Sequence, residues 1–444
     1  LPAAYVVGRV RRLGDRPLIT AMLMVALLSP PMVCALGWEQ IGARAPGFSD
    51  GSLRGATAEL WAWLRCIGVW AMWAWPVPAV LLGAGWSAGG RRVYEAARLE
   101  TSAWGAFRHA ALPGLIRHVA LSALILFVLF FGEYGVPHAC GLVVYATELL
   151  GWAQESADVI HAVWPAVPAI GVVAVTLMGL WILNPLRPGG DNGDAPPAGG
   201  TGGVGRPGIV AAGVVGITWL LPITVLVIGH MSWSVLAEAF RVYGFDLLWS
   251  IGVCGTSGSV AVGMGLAIVR VPRLRAAGLL WTVVLGTVPG ALIGEMMVAA
   301  YNHEATRLVY DDWPVLVLCY VARFGWIGVA TAWTALSGTA RPLIEQARTD
   351  GAGQGAVFFR VILPVSWPVL LAGAGVTTAL ALADVSASAL VRVPRFSPIA
   401  HVLIEKFHRF EFGMLVSLSL WLVAAALVPT VLLAFALKAR SRRA

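Results

Sequence analysis

Acidic residues occur at matching places in two parts of this chain. Glu95 and Glu345 each begin a short segment that closes with Leu-Pro, and a second acid, Glu133 or Asp384, follows twenty residues after each proline. Twenty residues of helix span about 30 Å, close to the thickness of a membrane's apolar core. We therefore expect the second pair of acids near the far side of a membrane, where each carboxylate either lines a pathway or caps a loop at the interface.

The composition places the chain in a membrane. It is 58% hydrophobic and 12% charged over 444 residues, with a mean hydropathy of +0.79, which excludes a soluble globular domain of this size. Residues 1–9 look like the tail of a span, so we expect an incomplete start and twelve spans in the intact chain. Ten apolar runs are long enough to cross, at residues 18–37, 62–86, 115–136, 162–183, 208–229, 247–269, 276–300, 313–336, 366–388 and 413–437.

The basic residues predict which side each loop faces. Loops at 9–17, 89–117, 184–207, 270–275 and 338–364, with the tail from 438, hold 21 of the 31 basic residues but 7 of the 23 acids. Because Arg and Lys concentrate in cytoplasmic loops, both segments that end in Leu-Pro are expected in the cytoplasm. The basic pI thus reflects membrane orientation and gives no case for nucleic acid.

The chain reads as two halves. Residues 184–207 are rich in Pro and Gly and have no helix or strand pattern, which is typical of a linker. We expect a first repeat at 1–183, N-terminally incomplete, and a second at 208–444, each with the same order of spans around its Leu-Pro segment. Such a direct repeat predicts an all-α polytopic membrane protein with a pseudo-twofold axis along the membrane normal.

The two segments are defined here as the first loop, residues 95–113, and the second loop, residues 345–364. They resemble the EAA loop of ABC importer permeases, which docks on a separate ATPase. The second loop has Gln346 in place of an Ala; in the first, Thr101 stands where the pattern has Gly and the loop is one residue shorter, so its coupling geometry is less well matched. Ordinary amphipathic surface helices are the alternative. The matching residues are Glu95, Ala96, Ala97, Leu112, Pro113, Glu345, Ala347, Gly351, Leu363 and Pro364.

Three further segments resemble ferric-iron-type permeases: residues 132–137, 320–324 and 383–388. Arg323, in the second of these, is expected to line the path, to pair with an acid such as Glu295, or to pack between helices. With Glu133 and Asp384, these residues are the pathway or gate candidates.

The resemblance implies two fused MetI-like domains in a bacterial inner membrane. It implies a transport subunit rather than an enzyme, working with two copies of an ABC ATPase and a periplasmic or lipid-anchored substrate-binding protein. Ferric iron is the first cargo that the resemblance suggests, followed by thiamine, phosphonate or polyamine. The rival class is a secondary transporter driven by an ion gradient, for which Glu295 would be the coupling acid.

Residues for other chemistry are missing from the sequence. A P-loop needs Gly-Lys, but Lys406 and Lys438 are the only lysines and neither follows a glycine, so ATP and Mg are expected on the partner ATPase and no cofactor on this chain. The five cysteines show no C-x-x-C spacing. His303, His401 and His408 share no ligand spacing, so no metal site is expected, and no convergent motif indicates a membrane enzyme.

Overall fold

The computed structural model describes residues 29–44, 56–86, 90–155, 163–183, 213–214, 216–337, 340–391, 393–394 and 396–425. The regular secondary structure of these residues is helical. The β pairing found among them is one isolated bridge, between Val393 and Phe396. Residues 184–207, where the linker is predicted, lie outside this part, so the domain boundaries stay a prediction.

The helices before the predicted linker are α1 (Pro31–Arg44), α2 (Ala56–Ala74), α3 (Pro76–Gly85), α4 (Arg91–Ala97), α5 (Ala103–Ala106), α6 (Leu112–Phe131), α7 (Gly135–Ala139), α8 (Tyr145–Glu155) and α9 (Val163–Leu183). Those after it are α10 (Leu221–His230), α11 (Trp233–Arg270), α12 (Pro272–Thr287), α13 (Gly290–Tyr301), α14 (Arg307–Tyr310), α15 (Pro314–Ser337), α16 (Ala340–Thr349), α17 (Gln354–Val357), α18 (Leu363–Ala383), α19 (Ile399–His408) and α20 (Phe412–Ala425).

The helix lengths and composition confirm an all-α polytopic membrane protein. Among the described residues, four helices are long and apolar enough to cross a membrane, or six when each of two bent pairs counts as one span. Three shorter apolar helices, at Pro165–Leu180, Leu221–His230 and Phe412–Ala425, coincide with further predicted runs. Parts of the predicted runs at 18–37, 208–229 and 413–437 lie outside the described residues.

Two predicted spans are not straight. Helices α2 and α3 meet at 47°, and the run at 276–300 is broken between α12 and α13 by a bend of 112°. The run at 276–300 is therefore either a broken span or a re-entrant loop. The break has a local cause: Val288 is extended, at φ −70° and ψ 131°, because the ring of Pro289 disfavours helical geometry in the residue before it.

Small residues hold the helices of the second half together. An added Cβ at Gly328 of α15 would collide with the backbone of Ala261 on α11, and one at Gly265 of α11 would collide with Gly328. Gly258 and Gly373 make similarly close approaches to Ala374 and Thr331. Such close backbone contact is typical of helices that associate in lipid, where packing rather than water exclusion drives association.

The two halves contact each other in the described part of the chain. Helix α1 packs on α10, α8 on α13, and α9 on α12. The largest buried core spans both halves and includes Val136 of α7, Leu226 of α10, Tyr320 of α15 and Leu415 of α20. The two loops therefore extend from one connected helical body.

Candidate functional site

The second loop turns through a glycine. Helix α16 ends in a Schellman arrangement, in which the N–H of Gly351 donates to the carbonyl of Arg348 at 3.0 Å and the N–H of Ala352 donates to that of Ala347 at 2.9 Å. Gly351 has φ +82°, a backbone conformation that costs glycine little and other residues more. This is the position at which the resemblance requires Gly.

The first loop makes its turn without a left-handed residue. The N–H of Thr101 donates to the carbonyl of Ala97 at 2.9 Å, and Thr101 is not among the described residues with positive φ. Ser102 then caps α5 by accepting a hydrogen bond from the N–H of Gly105 at 3.1 Å. The first loop is one residue shorter, and its turn closes without a residue at positive φ. Glycine is therefore not required at position 101, and Thr101 fits there.

Both loops continue through the same kind of helix. A π-helical turn, Phe107–Ala111 or Phe358–Ile362, comes directly before each Leu-Pro pair. Pro113 and Pro364 lack an N–H, and their rings would press on the carbonyl four residues earlier in a regular helix. The wider π turn avoids that contact, and π turns are frequent at functional sites. From α5 to α6, and from α17 to α18, the chain then runs as one helix, Ala103–Phe131 or Gln354–Ala383.

A small apolar core supports each loop. Under the first loop, Trp86, Ala111 and Leu115 are buried, with Tyr94 and Phe107 packed against them. Under the second, four of these five positions are filled by Leu336, Ile362, Ile344 and Phe358, and Val357 is also buried; the fifth, equivalent to Leu115, is Ser366. The predicted residues divide almost alike in the two loops, and the Leu of Leu-Pro is the exception, half-buried in the first loop and exposed in the second. Exposed are Glu95, Ala96, Pro113, Glu345, Gly351, Leu363 and Pro364; half-buried are Ala97, Leu112 and Ala347.

The second pair of acids caps turns at the far ends of these helices. Glu133 accepts hydrogen bonds from the N–H groups of Gly135 at 2.7 Å and Val136 at 3.1 Å, and from the indole of Trp70 at 2.9 Å. Asp384 accepts one from the hydroxyl of Ser386 at 3.0 Å. Each carboxylate therefore holds the chain reversal that follows α6 or α18.

Arg323 of α15 joins the two turns. Its Nε lies 3.4 Å from Oδ1 of Asp384, with side chains only 10% and 7% exposed, and its Nη2 donates to the carbonyl of Gly132 at 3.1 Å. Gly132 belongs to the turn of Glu133, so one guanidinium contacts both halves. The sequence suggested Glu295 as an example of the acid that pairs with Arg323; in the structure the partner is Asp384, and Glu295 is half-buried on α13 after the 112° break.

A cavity of about 630 Å³ opens beside the turn of Asp384. Its volume is within the range of small-molecule sites. Both halves line it: Tyr134 and Leu150 come from the first, and Val385, Phe396, His401, Glu405, His408 and Arg409 are among those from the second. Glu405 and Arg409 pair with each other at 2.9 Å, so the polar lining carries little net charge.

The histidines make contacts that the sequence did not indicate. His138 was not singled out, yet its Nε2 lies 2.7 Å from Nε2 of His408 across the two halves. His401 contacts the hydroxyl of Ser388 at 3.1 Å, and His303 the carbonyl of Ala299 at 2.9 Å. No group of three or more His, Cys, Asp or Glu that could hold a metal ion occurs in the described part.

The later part of the chain is similar to a known protein family. Residues 259–443 match the family described as "Binding-protein-dependent transport system inner membrane component". This segment is a MetI-like permease domain. It includes the second loop, Arg323 and Asp384, and it covers less than half of the chain, so the first loop lies outside it. Members of this family are transport permeases that work with ABC ATPases and substrate-binding proteins. A search of curated proteins found no match.

Proposed function

We propose that this chain is the fused permease subunit of a binding-protein-dependent ABC importer in a bacterial inner membrane. The observation that carries the proposal is the family match over residues 259–443. The equivalent fold of the first loop, down to its π turn before Leu-Pro, supports a second permease domain in the same chain. Two loops would then receive two ATPase copies, which hold the ATP and Mg.

The mechanism follows from what the helices connect. When ATP closes the ATPase pair, the exposed loops are drawn together, and the continuous helices Ala103–Phe131 and Gln354–Ala383 transmit that movement to the turns of Glu133 and Asp384. Arg323 holds these turns against each other, so it acts as a gate residue whose contacts change during transport. The cavity beside Asp384 is where cargo enters from the substrate-binding protein.

Ferric iron is the cargo we propose to test first. Its support is the sequence of the two acid turns and of residues 320–324, which resembles iron-type permeases. The described residues include no metal-binding group of three ligands. Selection of iron would therefore be made by the substrate-binding protein, and uptake of ⁵⁵Fe against thiamine, phosphonate and polyamine would distinguish the cargoes.

The test of the proposed function is purification of the chain from its native membranes, with every co-purifying protein identified by mass spectrometry. We expect a P-loop ATPase at two copies per permease. Glu345→Lys is expected to abolish uptake while membrane insertion is unchanged, because it reverses an exposed charge at the start of the second loop. Glu304→Lys makes the same charge change away from the loops and is the matched control.

A secondary transporter is the second candidate, and one observation favours it. Glu295 is a half-buried acid that follows a broken helix, and coupling acids of such transporters are found beside discontinuous helices. A chain that is purified without an ATPase, and that transports in vesicles with an ion gradient alone, would support this candidate and exclude the ABC importer.

A further inference from the structure

The two loops expose different apolar side chains, although their backbones match. Residues 103–115 and 354–366 share almost the same order of exposed, half-buried and buried positions. Trp104 of the first loop is 68% exposed, while the equivalent position in the second is Gly355. One helical turn later the difference reverses: Phe359 is 67% exposed in the second loop, while Arg108 occupies that position in the first.

A neighbouring position adds to the difference. Leu99, on the turn after α4, is 89% exposed, and its equivalent is Thr349. A third position is shared, since Val93 and Leu343 are equivalent and are 50% and 42% exposed. The helices that lead into the loops, α4 and α16, therefore share an apolar contact just before each loop. The large exposed aromatic side chain lies one helical turn further along in the second loop than in the first.

We propose that the ATPase subunits are anchored differently on the two loops, by Leu99 and Trp104 on the first and by Phe359 on the second. This rests on the proposed function. Exposed aromatic side chains are the usual anchors of a protein interface, and here the loop that carries each of them packs on a small apolar core. Exposed charged residues of both signs lie close to these anchors in sequence, which favours a soluble protein over a lipid surface; they are Arg98, Glu100 and Arg108 in the first loop and Arg348, Asp350 and Arg360 in the second.

The geometry has a consequence for the partner. If two copies of one ATPase dock, the same apolar pocket must accept Trp104 on one copy and a side chain about 5–6 Å further along the helix on the other. The two copies then sit differently relative to their loops. Truncation of the aromatic residue of one loop should therefore release the ATPase from that loop. A substitution at the position equivalent to the other loop's aromatic residue, Arg108 or Gly355, should leave the ATPase bound.

The experiment uses the full chain co-expressed with its ATPase, and measures the ATPase retained on the purified permease. We expect Trp104→Ala and Phe359→Ala each to weaken retention at one loop by about 30-fold, the effect of a typical hot-spot residue. The matched controls, Arg108→Ala and Gly355→Ala, are expected to change it by less than about threefold. An added Cβ at Gly355 meets nothing within 4 Å, so that control is free of steric conflict.

The exchange variant Gly355→Trp/Phe359→Arg gives the second loop the pattern of the first and should restore most of the retention that Phe359→Ala removes. Equal losses from Arg108→Ala and Phe359→Ala, or no loss from either aromatic truncation, would overturn the inference while leaving the proposed function standing. A photo-cross-linker at 104 that captures phospholipid instead of ATPase would also overturn it. If the unaltered chain retains no ATPase, the proposed function itself fails.

Discussion

Asp384→Asn should destabilise the folded chain more than the equivalent change Glu133→Gln. The Asp384 carboxylate faces Arg323 with both side chains almost fully buried, so the substitution leaves a guanidinium in the interior without its counter-charge. Removing one partner of a buried ion pair costs about 3–5 kcal/mol. Glu133 is held by the indole of Trp70 and by backbone N–H groups; glutamine keeps one acceptor oxygen for the backbone N–H groups, and the loss of one hydrogen bond to a charged group costs about 1.5–3 kcal/mol.

The assay is reversible unfolding in detergent, followed by helix content, with uptake measured on the same variants. The double variant Arg323→Met/Asp384→Asn removes both charges and should recover most of the loss, because apolar replacement of a buried pair is close to neutral. Equal costs for Asp384→Asn and Glu133→Gln, or a double variant as unstable as the single one, would refute the assignment of the pair. We also expect Asp384→Asn to slow uptake without releasing the ATPase; unchanged uptake would leave Asp384 as a turn cap only.

Three further predictions concern Gly351, His138 and Gly328. Gly351→Ala should cost about 1 kcal/mol in unfolding free energy, because alanine is strained at φ +82°, whereas Thr101→Gly in the other loop gains nothing from glycine's left-handed freedom. Burial and the neighbouring His408 lower the pKa of His138. The free energy of unfolding should therefore fall as the pH drops below about 6.5, because the unfolded chain then binds a proton that the folded chain does not. His138→Ala should reduce this pH dependence in unfolding experiments. Gly328→Leu should prevent recovery of folded protein in a detergent thermal-stability assay, since its side chain would enter the backbone of Ala261.

Local sequence carried much of the prediction for the loops. Proline fixes where each segment ends, and the glycine at 351 indicates a left-handed turn, because both are properties of single residues. The same reasoning treated Thr101 as a weakness of the first loop, and the structure shows how the shorter turn accommodates it. Thr101 is tolerated because the first loop is also one residue shorter, so the two changes compensate for each other. A motif compared one position at a time does not reveal such a pair of changes.

The contacts between distant residues could not be predicted in the same way. Hydropathy gave the run at 276–300 as one span because both α12 and α13 are apolar, although Pro289 marked the break. Hydropathy also predicted a span at 247–269, whereas helix α11 begins earlier, at Trp233, and ends at Arg270. The choice of Asp384 over Glu295 as the partner of Arg323 depends on how the helices of the second half pack, and the approach of His138 to His408 depends on packing across the halves. No local period encodes either.

The arrangement of the two ends has a functional consequence that can be separated from stability. Each loop and each acid turn lie at opposite ends of one continuous helix, and Arg323 links the two turns. If Arg323 transmits movement between the halves, Arg323→Met/Asp384→Asn, which keeps the fold, should still bind the ATPase and permit ATP hydrolysis but should uncouple it from uptake. Uptake and hydrolysis that fall together in this variant would mean that the pair serves the fold alone. A ratio of transported cargo to ATP that drops at least about tenfold would establish Arg323 as the connection between the halves.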